Sequence, residues 1–94
     1  MEFEWDPAKE AANIEKHGIA FEDAKAVFAD PERLEEESSK PEYEEERRRA
    51  IGRLGPHVVM VVFTDRGDRR RIISARRAST HERARYDKRP ETAT

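Results

Sequence analysis

Residues 58–63, Val-Val-Met-Val-Val-Phe, form the longest apolar run in a chain of 94 residues that is 43% charged, and any fold has to bury them. The run is rich in β-branched residues. Gly55-Pro56 precedes it and Asp65-Arg66-Gly67-Asp68 follows, so the spacing predicts a core strand over 57–64 bounded by turns. Before it, Arg47 to Leu54 reads as a strand carrying Ala50, Ile51 and Leu54. After it, Arg69 to Ala75 alternates arginines with Ile72 and Ile73. Three antiparallel strands in succession are expected.

The flanking segments carry helix signals. Phe3 and Trp5 alternate with glutamates, the two-residue period of a short strand. Asp6-Pro7 then starts a helix, and Gly18, after Lys16 and His17, stops it, so the first helix is predicted over 7–17. A second runs over 21–29, with Phe21, Ala24, Val27 and Phe28 on one stripe and Asp30-Pro31 ending it. Glutamates dominate 32–46, where any strand is weak and at a sheet edge. Ser79 three residues before Glu82 is a capping pattern for a third helix to about Lys88, with Tyr86 as its anchor near the surface. The expected fold class is α+β, two layers, with two N-terminal helices packed on a small antiparallel sheet and a C-terminal helix. A chain this short holds a single domain, expected over 1–90, with 91–94 a frayed tail.

Function classes narrow by exclusion. No stretch nears the roughly 18 apolar residues of a membrane span, and the acidic start, Met1-Glu2-Phe3-Glu4, is unlike a signal peptide. With no cysteine in the chain, disulfides and thiolate metal sites are out, and a cytoplasmic location is expected. Charge is segregated: residues 1–46 hold 5 basic and 16 acidic side chains, a net of -11, and residues 47–94 hold 14 basic and 5 acidic, a net of +9. All but one of the 14 arginines lie in the second half. An arginine fork matches phosphate, which points to an anionic partner such as nucleic acid; acidic and basic strands pairing side by side would produce the same segregation.

Two groups of residues can carry chemistry. On the first helix Pro7, Ala11 and Ile14 share one side, while Lys9, Asn13, Lys16 and His17 share the other. That polar face offers cations, an amide and an imidazole; alternatively it is solvated, with Lys16 and His17 complementing the helix C-terminus. On the strands, Glu45 and Arg47 are two apart and face one way, as do Arg69 and Arg71. Glu45 would be a base or an arginine orienter, unless the pairing is structural. Arg76 lies just past an apolar strand, suited to stabilising phosphate. His57 at a turn and His81 in a helix first turn take no catalytic role. The three histidines lack metal spacing, and no glycine-rich phosphate loop is present, so neither metal nor cofactor is expected.

The string WDPAKEAANIEKHGIAFEDAKAVF, then Glu45 and Arg47 ahead of Ile51-Gly52, then RIISARRA with Glu82, Arg83 and Tyr86, closely resembles the BrnT family of type II toxin–antitoxin modules, from Phe3 to Tyr86. The resemblance implies a RelE-like ribonuclease that cleaves RNA without metal and inhibits translation. It further implies neutralisation by a BrnA-like antitoxin with a ribbon-helix-helix domain, and contact with operator DNA only through the antitoxin complex. Metal-free RNA cleavage needs a base for the 2′-hydroxyl, an acid for the 5′-oxygen and cations for the phosphorane. The expected catalytic residues are Lys9, His17, Glu45 and Arg76, with Asn13, Lys16, Arg47, Arg71, Arg77 and Tyr86 contacting RNA. The competing expectation is a non-catalytic nucleic-acid or protein-binding module. In a third reading, the acidic segment 32–46 is a docking strip for a basic partner.

Overall fold

The computed structural model describes residues 1–88, so the tail expected at 91–94 lies outside the described residues. In chain order the elements are β1 (Glu2–Glu4), α1 (Pro7–His17), α2 (Phe21–Ala24), α3 (Ala26–Ala29), β2 (Leu34–Glu37), β3 (Arg48–Leu54), β4 (His57–Arg66), β5 (Arg69–Arg77) and α4 (Thr80–Asp87). The strands form one sheet in the order β1-β5-β4-β3-β2. β2 to β5 pair antiparallel, and β1 joins β5 in parallel. The sheet is therefore mixed, which corrects the all-antiparallel expectation. Alternation of Phe3 and Trp5 marks a strand but carries no information about its partner or direction.

The apolar run of β4 dictates a second correction. Val59, Val61 and Phe63 pack with Phe21, Ala24 and Val27 on one face. Val58 and Met60 pack with Ile51 and Tyr86 on the other. A strand apolar on both faces needs cover on both, so α4 lies across the sheet from α2 and α3, and there are three layers, not two. The expected helix over 21–29 is broken into α2 and α3 at Lys25. Its buried positions, Phe21, Ala24 and Val27, recur every three residues, tighter than the 3.6 of an α-helix. The later turns close with three-residue bonds, Phe28 N–H to Lys25 O at 3.0 Å and Asp30 N–H to Val27 O at 3.2 Å.

Helix α1 starts where Asp6 accepts the Ala8 amide at 2.9 Å and stops at Gly18, whose φ of 72° is left-handed. Its inward face differs from the apolar stripe expected at Pro7, Ala11 and Ile14. Asn13 is its one buried residue, and Ile14 is 45% exposed. β1 covers the edge of β5 only at Arg69–Arg71, and Asn13 continues the pairing: its Nδ2 donates to Ala75 O and Ile19 O, both at 2.9 Å, and its Oδ1 accepts from Ala75 N–H at 3.1 Å. Three backbone groups at about 1–3 kcal/mol each if left unsatisfied outweigh the burial of one isoleucine at about 1.5–3 kcal/mol.

Candidate active site

An open cleft of about 480 Å³ lies where α1, the loop before β3, the end of β4 and the start of β5 meet. Lys9, Glu44, Glu45, Thr64, Arg66 and Arg71 line it, over Ile72 and Ile73. The β4–β5 ladder contributes through a bulge. Val62 pairs with Ser74 but Phe63 with Ile72, leaving Ile73 as the extra residue that re-aims this stretch of β5. The loop bearing Glu45 is tied at both ends. Ser38 N–H donates to Arg47 O at 2.8 Å, Arg47 N–H to Ser39 Oγ at 2.8 Å, and Thr64 Oγ1 to Glu46 O at 2.7 Å. Glu45 and Arg47 therefore sit in an anchored loop ahead of β3 rather than side by side on a strand. Arg47 packs its guanidinium 3.8 Å from the Tyr43 ring centre and donates to Glu45 at 3.3 Å.

Arg71 is held by Glu4 at 3.2 Å, and its buried Nε has no hydrogen-bond partner among the described residues. From the cleft a groove of about 300 Å³ runs along α1 past Lys9, Lys16 and His17. His17 lies eight positions after Lys9, about 12 Å along the helix, toward the other end of the groove. His17 also lines a third hollow, of about 230 Å³, together with His57 and Arg77.

The remaining expected residues lie elsewhere. Arg76 is not among the residues of the cleft and grooves; its guanidinium grips Glu82 of α4 with bonds of 2.8 and 2.9 Å. Burial raises the Glu82 pKa, but the Arg76 guanidinium and the Ser79 amide outweigh it and hold the carboxyl down at about 2. Tyr86, expected near the surface, is 0% exposed and donates to Asp30 at 2.6 Å, because the second face of β4 needs its ring. Asn13 borders the α1 groove, but its amide is committed to Ala75 and Ile19. The acidic edge strand β2 is neutralised from within: Glu35 faces Arg33 and Arg48, and Glu36 binds Arg49 and Arg85. That leaves little of β2 to act as a docking strip, while Glu42, Glu44 and Glu46 of the expected 32–46 strip lie in the loop beyond it.

Sequence reading passed over Arg66 and Thr64. Asp65-Arg66-Gly67-Asp68 registers as turn chemistry, which hides that Arg66 faces the cleft. Among the described residues no three of His, Cys, Asp or Glu gather as metal ligands, and no helix is long and apolar enough to cross a membrane. No curated protein matches the chain. The family model for BrnT, the ribonuclease toxin of type II toxin–antitoxin systems, matches residues 5–82, from the strand-to-helix corner at Trp5 to the buried Glu82, and the chain belongs to that family.

Proposed function

We propose that this chain is an endoribonuclease toxin of RelE-like fold that cuts RNA without a metal, from the cleft between Lys9, Glu45, Arg66 and Arg71. The observation that carries this reading is the convergence of three cations and two neighbouring carboxylates, Glu44 and Glu45, from four separate segments on one open cleft. Glu45, beside Arg47 and in a cationic setting, takes the proton of the ribose 2′-hydroxyl. The 2′-oxygen bonds to phosphorus, the P–O5′ bond breaks, and the Lys9 ammonium protonates the departing 5′-oxygen, leaving a 2′,3′-cyclic phosphate. Arg66 and the Arg71 guanidinium stabilise the phosphorane. Lys16, His17 and Arg77 hold the strand beyond the scissile phosphate, with Arg47 bracing Glu45. Arg76 is a positioning residue that acts through Glu82 and α4.

Membership in the family implies an antitoxin partner and an RNA substrate. We take the antitoxin to be BrnA-like with a ribbon-helix-helix domain that makes the operator contact, and the RNA cleavage to inhibit translation in the cytoplasm. The test is incubation of the purified chain with RNA in excess EDTA, wild type beside Lys9→Ala, Glu45→Gln and Arg71→Ala, with analysis of product ends. Cyclic-phosphate ends from the wild type, and a loss of 10²-fold or more in Lys9→Ala and Glu45→Gln, are expected. Binding without cleavage, with or without ribosomes, overturns the enzyme reading and leaves a binding module.

A further inference from the structure

The third hollow has a composition unlike the cleft. Its floor is apolar, built by Ile19 and Leu54, and its rim carries His17, Asp23, His57 and Arg77. Arg77 Nη2 lies 3.0 Å from His57 Nε2, a contact that places the imidazole at the rim. Asp23 is exposed and in no ion pair among the described residues. At about 230 Å³ the hollow is below the usual 300–1,000 Å³ of a drug-sized ligand site. Its size and lining suit one flat heterocycle lying on aliphatic side chains with polar groups around its edge. His17 belongs both to this hollow and to the groove leading to the cleft, so the two adjoin at that side chain.

We propose that this hollow is a base-reading subsite that takes one unpaired nucleobase of the RNA strand whose backbone follows α1 to the cleft. This rests on the ribonuclease reading for the identity of the strand, and adds where its sequence is read. The base lies on Ile19 and Leu54, and Asp23 accepts from its exocyclic amino group. Arg77 keeps donors for the adjacent phosphate. Uracil, which has no exocyclic amino group, is disfavoured. Because the hollow lies beyond the far end of α1 from Lys9, the base read is at least one full nucleotide removed from the scissile phosphate. A paired base cannot enter, so the strand is single-stranded at this point.

The probe is a set of 2′-O-methyl RNA octamers, which lack the attacking hydroxyl, each with a single abasic position or a single uracil placed in turn. The wild-type chain should lose about tenfold or more in affinity when one particular position is abasic, and little at most others. Uracil at that position should weaken binding, and Asp23→Ala should erase the discrimination while retaining binding. His57→Ala serves as a second variant on the rim. Equal losses at every position, discrimination unchanged in both variants, or no binding to any octamer each overturns the subsite. Cleavage of the unmodified octamer is scored separately. Position-dependent binding without cleavage keeps the subsite and sinks only the ribonuclease reading.

Discussion

Arg76 on β5 and Glu82 on α4 form a two-pronged ion pair, Nη1 to Oε1 at 2.8 Å and Nη2 to Oε2 at 2.9 Å, around a carboxylate that is 6% exposed. The same carboxylate accepts the Ser79 amide at 2.8 Å and completes the capping box of α4. One side chain thus closes the helix and fastens it to the sheet. Arg76→Ala leaves the buried charge short of its main partner and should cost about 2 kcal/mol, read from the urea midpoint. RNA cleavage by the folded variant should fall far less than in Lys9→Ala. A loss equal to that of Lys9→Ala would return Arg76 to the reacting centre.

Stability should fall in acid through the same group. The Glu82 carboxyl is held at about 2, below its ordinary 4.5, and the Arg85 guanidinium lowers Glu36 against its partial burial. A depressed carboxyl contributes stability that is full above its unfolded value and lost as pH falls through the folded one. The melting temperature should therefore decline as pH drops from about 4.5 toward 2. Glu82→Gln should be less stable near neutrality and show a shallower decline. An identical decline in the variant would exclude Glu82 as its source.

The amide of Asn13 replaces the strand that β1 is too short to provide. Asn13→Ala removes three hydrogen bonds to backbone and should cost about 2–3 kcal/mol. Asn13→Asp keeps the acceptor and loses both donors, and should be no better tolerated. Hydrogen exchange at the Ala75 amide is a local readout, with protection expected to fall in both variants. Unchanged protection would show that α1 does not hold this edge.

Arg66 and Arg71 should each contact phosphate. For single-stranded RNA, loss of either should reduce the slope of log K against log salt by about 0.7. Arg83, exposed on α4 and outside the cleft and grooves, is the control. A slope change in Arg83→Ala as large as in Arg66→Ala would mean that diffuse charge, rather than the cleft, binds the strand.

Features set by neighbours in the chain were legible from the residues. Asp6-Pro7 and Gly18 bound α1, Ser79 and Glu82 cap α4, and the turn residues on either side of β4 frame its apolar run. Each signal works through a bond or a backbone angle within four residues, and needs no knowledge of the rest. The Lys9, Lys16 and His17 face was found for the same reason, since helical periodicity fixes it.

The sequence by itself thus determined the bounds of α1, the capped start of α4, the approximate spans of β3, β4 and β5, that β4 is the core strand, and that two cationic groups are available for phosphate. Only the tertiary structure decided how those groups meet. β1 runs parallel to β5, Asn13 turns inward, and Tyr86 is buried where it was expected near the surface, because uncovered backbone and a two-sided apolar strand had to be satisfied by whatever lay nearby. Lys9, Glu45 and Arg71 line one cleft although 62 positions separate the first from the last, and Arg76 is drawn away by a buried carboxylate. Such choices depend on competition among distant groups for the same partners, and no local pattern encodes its outcome.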